Sequence, residues 1–253
     1  MPALVPLIGD LGTNQNTNIM RKLNVLIACE ESQAICKEFR RLGHIAYSCD
    51  IQDESGGHPE WHIKGDAFDV VDGNCRFTTK DGTEHAVYDW DLVIAHPPCT
   101  YLSKSGERWL DVEKYGKTAE ERLGMRYDAA SFFLRFTTIR CSHVAIENPV
   151  GCMSRIFRKE DQIIQPWWFG DPVKKSTCLW LKGLPALVPE VTDEPEIETV
   201  EYTDRNGVTK TKSKFFFETR YLPADERRKQ RSKTFPGIAR AIAAQWSEYL
   251  QSA

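Results

Sequence analysis

The chain has 253 residues, of which 41% are hydrophobic and 27% are charged, and its formal net charge at pH 7 is −3. This length can bury one substantial α/β core with a small appendage, and the composition is that of a folded soluble protein rather than a disordered or membrane-spanning one. The small negative net charge argues against a protein that coats nucleic acid over its whole surface.

The pattern of apolar residues predicts an alternating α/β chain. Residues 1–21 are predicted to form a loose leader, because their apolar run is too short to span a bilayer and lacks the features of a secretory signal. Strands are then predicted at residues 24–28, 45–50, 89–95 and 143–146, and helices at residues 32–42, 118–138 and 238–250. The repeated alternation of strand and helix indicates a mostly parallel sheet.

Polar or reactive side chains stand at the carboxyl ends of these predicted strands. They are Cys29, Glu30 and Glu31 after the first strand, Asp50 at the end of the second, Cys99 after the later one, and Glu147 with Asn148. In an open α/β sheet the ligand binds at this edge, so we expect these side chains to converge on one site. Each of them taken alone could be an ordinary polar loop residue.

The segment after Pro185 has a strong charge asymmetry. Residues 190–204 contain seven acidic and no basic side chains, whereas residues 204–240 contain eleven basic and four acidic ones, a local charge of +7. A basic surface of that size predicts an attraction for phosphate groups, and a solvated charged face is the alternative.

The same segment contains a hairpin signal, Arg205-Asn206-Gly207. The aromatic residues 215–217 and Tyr221 lie among Lys210, Lys212, Lys214 and Arg220. Such aromatic rings either stack on unpaired bases or fix the hairpin to the core, and the sequence leaves both interpretations open.

The eight cysteines are scattered along the chain, and no C-x-x-C pair occurs. Disulfide-stapled domains cluster their cysteines, and zinc sites usually take their ligands in closely spaced pairs. The sequence therefore predicts no metal and a reducing, cytoplasmic setting, in which most of the thiols are buried as small apolar side chains.

Cys99 and Glu147 together suggest a specific chemistry. Cys99 directly follows Pro97 and Pro98, so a rigid turn would present its thiol at the sheet edge, and thiolates add readily to electron-poor double bonds. A glutamate of raised pKa at position 147 could protonate nitrogen 3 of a cytosine ring, which makes carbon 6 electrophilic. Cys99 as nucleophile and Glu147 as acid would together carry out one reaction, the covalent addition of the thiol to carbon 6.

The order of the motifs resembles the cytosine-5 DNA methyltransferase family, especially its short phage-type members. The similar segments are residues 25–50, Gly65 with Asp66, Pro97-Pro98-Cys99, Glu147 with Asn148, residues 174–183 and residues 234–243. The resemblance implies a Rossmann-like, S-adenosylmethionine-dependent methyltransferase fold, with a mostly parallel sheet, flanking helices and a small β-rich insertion. It also implies a cytoplasmic protein of a bacterial or phage-infected cell.

The resemblance implies roles for individual residues. Cys99 would add to carbon 6 of cytosine, Glu147 would hold the ring, and carbon 5 would take a methyl group from S-adenosylmethionine. The implied cofactor-binding residues are Cys29, Glu30, Glu31, Asp50, Ile51, Asp66 and Pro97. The implied DNA-binding residues are Pro98, Ser103, Asn148, Lys175, Lys212, Lys214 and Arg220. In duplex DNA the target cytosine would have to leave the stack, at a cost of roughly a few kcal/mol, which a single strand would avoid.

The chain departs from the family pattern at the first turn and at the catalytic loop. The turn at residues 28–33 contains no glycine, so either Glu30 or Glu31 meets the amino group of the cofactor, or cofactor binding is weak, altered or lost. Thr100 and Tyr101 replace the usual glutamine and phenylalanine, whereas Ser103 matches. Lys175 stands where the family has arginines, and the two side chains are not interchangeable.

The predicted organisation is a leader (residues 1–21), a catalytic domain (22–185), a small basic target-recognition segment (186–233) and a closing helix (234–253). The recognition segment is short, so base-specific recognition is expected to be minimal. Three alternatives stay open: a related enzyme that transfers another group to carbon 5, a catalytically silent nucleic-acid-binding or decoy protein, and a methyltransferase acting on a free nucleotide. The last would leave the basic segment without a role.

Overall fold

The computed structural model describes residues 21–204 and 206–252. Nearly all of the predicted leader and Arg205 of the predicted turn lie outside these residues. The strands are β1 (Asn24–Ala28), β2 (Ile45–Asp50), β3 (His62–Lys64), β4 (Cys75–Thr78), β5 (Glu84–Val87), β6 (Leu92–Ala95), β7 (Val144–Pro149), β8 (Gln162–Ile164), β9 (Thr177–Lys182), β10 (Thr199–Thr203) and β11 (Thr209–Ser213). The α-helices are α1 (Ala34–Arg41), α2 (Val112–Tyr115), α3 (Lys117–Arg135), α4 (Met153–Ile156), α5 (Lys214–Glu218), α6 (Ala224–Ser232) and α7 (Pro236–Ser252).

Seven of these strands form one sheet, in the order β3-β2-β1-β6-β7-β9-β8. The first five pair in parallel, and β9 runs antiparallel to both of its neighbours. The strand order reverses between β1 and β6, which is the switch point at which Rossmann-like sheets bind their ligands. The predicted Rossmann-like architecture, a mostly parallel sheet with flanking helices, is confirmed.

The central strands are apolar because helices cover both faces of the sheet. Every residue of β6 is buried, as is β1 apart from its first residue. On one face Phe133 and the following Phe136 pack from the end of α3, and on the other Phe39 of α1 and Trp246 of α7 do so. Continuous apolar runs of this kind are expected of parallel strands buried on both sides.

Several predicted boundaries change in the structure. The predicted strand at 89–95 begins only at Leu92, and α1 begins at Ala34 rather than at Ser32. In the opposite direction, β7 continues to Pro149, since β9 pairs with it as far as Asn148 and Pro149. Glu147 therefore lies within a paired strand, where its backbone is fixed, and not in the loop that follows.

The predicted β-rich insertion is the antiparallel hairpin of β10 and β11. A second hairpin, β4 with β5, and helices α5 and α6 were not predicted from the sequence. Helix α6 follows the hairpin and reaches the carboxyl edge of the sheet, where its residues meet the turn after β1. No helix among the described residues has the length and apolar character needed to cross a membrane.

Candidate active site

A cavity of about 410 Å³ lies at the carboxyl edge of the parallel strands. Small-molecule sites usually have volumes of this order. Eleven of the residues proposed from the sequence line it: Cys29, Glu30, Glu31, Asp50, Ile51, Asp66, Pro97, Pro98, Cys99, Glu147 and Lys175. The predicted convergence of strand-end residues is therefore present. Ser103, Asn148, Lys212, Lys214 and Arg220 are not among the lining residues.

The turn after β1 has the backbone of a glycine-containing turn without the glycine. Cys29 has a φ of 60°, in the left-handed region that glycine favours, and its N–H donates to the carbonyl of Cys49 at 2.7 Å. Such a conformation costs about 1–3 kcal/mol in a residue other than glycine and is characteristic of functional sites. Burial, with Asp50 nearby, raises the pKa of the Cys29 thiol.

The structure separates the roles of the two glutamates in that turn. Both carboxylate oxygens of Glu30 accept hydrogen bonds from the first turn of α1, from the N–H of Ile35 at 2.7 Å and of Cys36 at 3.3 Å. Glu30 therefore caps the helix. Glu31 is only 8% exposed, and its Oε2 atom is buried without a hydrogen-bond partner, 3.7 Å from Nζ of Lys229. Glu31 is the carboxylate of this turn that remains available to a ligand.

Two further carboxylates line the cavity from the ends of β2 and β3. Asp50 accepts a hydrogen bond from the N–H of Gln52 at 2.8 Å, and burial raises its pKa despite that bond. Asp66 caps a short 3-10 helix by accepting from the N–H of Phe68 at 3.0 Å. Beside them, Ile51 is 75% exposed at the cavity and Phe132 of α3 adds an aromatic ring to the lining.

The loop that carries Cys99 is held by hydrogen bonds to its carbonyl groups. Asn148 Nδ2 donates to the carbonyl of Pro97 at 2.8 Å, and Arg126 Nε donates to that of Tyr101 at 3.0 Å. The N–H of Cys152 donates to the carbonyl of Leu102 at 2.9 Å. The loop is therefore preformed in the structure. Asn148, proposed above to bind the substrate, is fully buried and supports this loop from behind.

The thiol of Cys99 lines the cavity in its protonated form. Burial raises its pKa, the negative charge of Glu147 raises it further, and Lys175 opposes both. Lys175 is fixed beside them, because its Nζ donates to the carbonyl of Arg231 at 2.7 Å. Cys99 therefore has to lose a proton before it can act as a nucleophile.

Glu147 is paired with His96, a residue that the sequence analysis did not propose for the site. The parallel register pairs Ala95 with Ile146, so the residues that follow them lie side by side, with His96 Nδ1 3.3 Å from Glu147 Oε2. Burial opposes ionisation of Glu147, but the hydrogen bond and charge of His96, together with Lys175, hold the pKa below its usual value. The expectation of a raised pKa at Glu147 was therefore wrong.

The register that joins these two residues could not be read from the sequence. The available signal was that each residue directly follows three apolar strand residues, in predicted strands expected to be parallel.

The basic segment is less basic at its surface than its composition suggests. Within the hairpin region, Lys210 pairs with Asp204 at 2.5 Å and Lys214 with Glu198 at 2.7 Å. Arg220 lies over the rings of Tyr202, Phe217 and Tyr221 at 4.8, 4.2 and 4.6 Å. These aromatic residues thus brace the hairpin, and Lys212 is exposed without an acidic partner in the part of the chain that the structure describes.

Three further basic residues of the segment lie at the cavity, one of which, Arg228, also pairs with Asp225 at 2.8 Å. Arg228 and Arg231 of α6, followed by Lys233, belong to the cavity lining. Residues 21–204 and 206–252 contain no group of three or more His, Cys, Asp or Glu side chains able to hold a metal ion.

Comparison with known proteins gives distant structural similarity only. No protein-family model and no curated protein sequence matches the chain. Among solved structures, it is similar to the Dnmt2 methyltransferase of S. pombe, with 13% identity and a TM-score of 0.36 over 66% of this chain and 51% of that one. It is equally similar, with 13% identity and a TM-score of 0.36, to a protein described as a prophage-encoded DNA modification methyltransferase of E. coli, over 63% of this chain and 46% of that one. The chain spans about half the length of each. Likeness at this level defines neither substrate nor cofactor.

The contact between the Cys99 loop and the residues after β7 predicts a strict requirement for glycine at position 151. A Cβ atom on Gly151 would lie 2.0 Å from the carbonyl oxygen of Leu102. Gly151→Ala should therefore lower the free energy of unfolding by about 1–3 kcal/mol, as forced overpacking does. Urea unfolding measures the change.

The matched control is Gly124→Ala, because Gly124 lies in α3 with open space around it. Alanine there should leave stability unchanged or raise it by about 0.5–1 kcal/mol. Equal unfolding midpoints for Gly151→Ala and the unmodified protein would contradict the close packing of the loop.

Proposed function

We propose that this protein is a DNA cytosine-5 methyltransferase whose nucleophile is Cys99. The observation that carries the proposal is the placement of Cys99 and Glu147 in one cavity with the buried carboxylate of Glu31, whose Oε2 atom accepts no hydrogen bond from the described residues. A nucleophilic thiol, a carboxyl group able to exchange a proton with the substrate and an acidic cofactor pocket are the three parts that the reaction needs.

The residues around β1, β2 and β3 fit the cofactor that the family resemblance implies. The buried Glu31 Oε2 suits the ammonium group of a methionine moiety, and the Asp50 carboxylate suits ribose hydroxyls. Ile51 and Phe132 offer apolar surface for an adenine ring. S-adenosylmethionine would supply an electrophilic methyl group at this site.

In the proposed reaction, Cys99 supplies the electron pair that bonds carbon 6, and Glu147 exchanges a proton with nitrogen 3. Cys99 loses its thiol proton to water, and its sulfur bonds carbon 6 of cytosine. The ring electrons shift to nitrogen 3, which takes a proton from Glu147 and leaves carbon 5 nucleophilic. Once carbon 5 has its methyl group, its own proton leaves to water, the double bond re-forms, and Cys99 departs as thiolate. Nitrogen 3 returns its proton to Glu147.

The charges around the cavity support a substrate that bears phosphate. Arg228, Arg231 and Lys233 line the cavity itself, while Lys212 is exposed on the hairpin. Phosphates on either side of a cytosine that enters the cavity would meet these side chains. The short hairpin offers little surface for reading neighbouring bases, which fits a protein of low sequence specificity.

One observation favours a second candidate, methylation of a free cytidine nucleotide. Lys210 and Lys214 are paired with Asp204 and Glu198, whereas Arg231 and Lys233 lie at the cavity without an acidic partner among the described residues. The phosphate of a single bound nucleotide would contact the basic residues at the cavity and would not reach the paired lysines. The basic segment therefore no longer excludes this alternative, and binding experiments distinguish the two.

Covalent trapping tests the nucleophile. With S-adenosylmethionine, an oligonucleotide containing 5-fluorocytosine should form a stable adduct, because carbon 5 then carries a fluorine that cannot leave as a cation. Cys99→Ala should abolish the adduct on a denaturing gel. Cys75→Ser is the matched control, since Cys75 is also partly buried but lies outside the cavity. An unmodified protein that forms no adduct with single-stranded DNA, duplex DNA or the free nucleotide would refute the proposal.

Calorimetry with S-adenosylhomocysteine tests the cofactor assignment. Glu31→Gln should weaken binding about 10- to 100-fold, the usual effect of losing a charge-assisted hydrogen bond. Binding of methylthioadenosine, which lacks the amino group, should be unaffected. The control Glu54→Gln changes a half-buried glutamate whose Oε2 atom is also buried, paired with Lys80 at 3.2 Å and outside the cavity lining. If Glu31→Gln weakened the binding of S-adenosylhomocysteine and methylthioadenosine equally, Glu31 would not be the residue that contacts the amino group.

Salt titration of oligonucleotide binding tests the interface. Each lost phosphate contact reduces the slope of log affinity against log salt by about 1, so Lys233→Ala should reduce it by about 1. Lys210→Ala should change little, because Lys210 is paired with Asp204. If dCMP binds as tightly as the oligonucleotide, the free-nucleotide function is the better one.

A further inference from the structure

The proposed chemistry leaves open where the proton for nitrogen 3 is stored. Glu147 has to give a proton to the ring, yet its surroundings favour the carboxylate form. The group in contact with it is His96, whose Nδ1 lies 3.3 Å from Glu147 Oε2. An ionised carboxylate only accepts hydrogen bonds, so the imidazole is the donor in this pair.

The surroundings of His96 favour its charged form. Burial opposes the charge, but the hydrogen bond and charge of Glu147 and the negative charge of Glu30 outweigh it and raise the pKa of His96, with Lys175 acting in the opposite direction. Cys99 belongs to the same loop, and Lys233 lines the recess beside the imidazole. Each partner thus shifts the pKa of the other towards its charged form, an imidazolium facing a carboxylate.

The second ring nitrogen of His96, Nε2, is buried and makes no hydrogen bond to the described residues. By contrast, His62 is held at both ring nitrogens, by Ser48 Oγ at 2.9 Å and the Gln52 carbonyl at 2.9 Å, and His85 is held by Tyr47 Oη and Thr79 Oγ1, each at 3.0 Å. In His96, only the nitrogen that faces Glu147 is engaged.

We propose that His96 stores the proton that Glu147 delivers to nitrogen 3 of the target cytosine, which makes it a positioning residue that acts through Glu147. The inference rests on the proposed function. As the sulfur of Cys99 bonds carbon 6, nitrogen 3 takes the proton from Glu147, and Glu147 takes the Nδ1 proton of His96, which becomes neutral. When Cys99 leaves, the same proton returns from nitrogen 3 to Glu147 and then to His96.

This proton store predicts a distinctive pH profile for adduct formation with the 5-fluorocytosine oligonucleotide. At low pH His96 is fully protonated, and the rate rises tenfold per pH unit as Cys99 loses its proton. Above the pKa of His96 the gain in thiolate is offset by loss of the stored proton, so the rate levels off. The profile should therefore break above pH 6.5, the ordinary value for histidine.

His96→Asn is the decisive variant, because asparagine can still donate to Glu147 but cannot store a proton. The break should then move to lower pH, towards the pKa of a carboxyl group, and the plateau rate should fall about tenfold for each pH unit of that movement. The matched control is His58→Asn, which alters a surface His–Glu pair, His58 with Glu60 at 2.9 Å, outside the cavity. It should keep the break of the unmodified protein.

The outcomes of this experiment distinguish failure of the His96 proton store from failure of the proposed function. An adduct with an unmoved break in His96→Asn would overturn the proton store and leave Cys99 as the nucleophile. Absence of any adduct in the unmodified protein would refute the proposed function itself.

If His96→Asn folds poorly, the inference can still be tested by a measurement on the unmodified protein and on Glu147→Gln without substrate. In histidine NMR titrations, His96 should titrate above pH 6.5 in the unmodified protein, and Glu147→Gln should bring it below 6.5, because burial then dominates. An unchanged His96 titration in Glu147→Gln would overturn the inference.

Discussion

The in-register parallel pairing of β6 with β7 is the constraint on which the site depends. It pairs Ala95 with Ile146 inside the core, and the next residue of each strand therefore reaches the cavity at the same level. His96 and Glu147 meet there at 3.3 Å. A shift of one residue would turn Glu147 to the opposite face of the sheet, since side chains alternate along a strand. The electrostatics of Cys99 depend on the same pairing, because Glu147 raises the pKa of its thiol.

The loop of Cys99, the proposed nucleophile, is held by the strand that also carries Glu147, the proposed acid. Directly after Glu147, Asn148 donates to Pro97, and Gly151 lies against the carbonyl of Leu102. The segment from Glu147 to Cys152 thus supports the Cys99 loop along its length, while Arg126 holds it from α3. In the proposed reaction, positioning of this kind would place the reacting groups before the substrate arrives, which is where much of the rate gain of enzymes originates.

The turn after β1 shows how the chain manages without the glycine that its family resemblance leads one to expect. Cys29 adopts the left-handed backbone, and Glu30 ties the turn to α1 through two backbone hydrogen bonds. The capping bonds explain why a glutamate stands at position 30. Glu31 is left buried at the cavity, where its Oε2 atom lies 3.7 Å from Lys229 Nζ and accepts no hydrogen bond from the described residues. The strain at Cys29 and the burial of Glu31 are both costs to folding, and both occur where a ligand is proposed to bind.

The sequence by itself determined the alternation of strands and helices, the edge at which the site lies, and the prominence of Cys99 and Glu147, because apolar periodicity and strand-end positions are local properties. Only the tertiary structure decided which side chains pair with one another. Strand register brought His96 to Glu147 and lowered a pKa that the sequence suggested would be raised. Long-range ion pairs such as Lys214 with Glu198 neutralised charges that add up along the sequence to a basic segment. Pairing with β9 extended β7 beyond its apolar run. Hydrogen bonds and charge pairs between distant residues depend on distances in space, which a linear pattern does not contain.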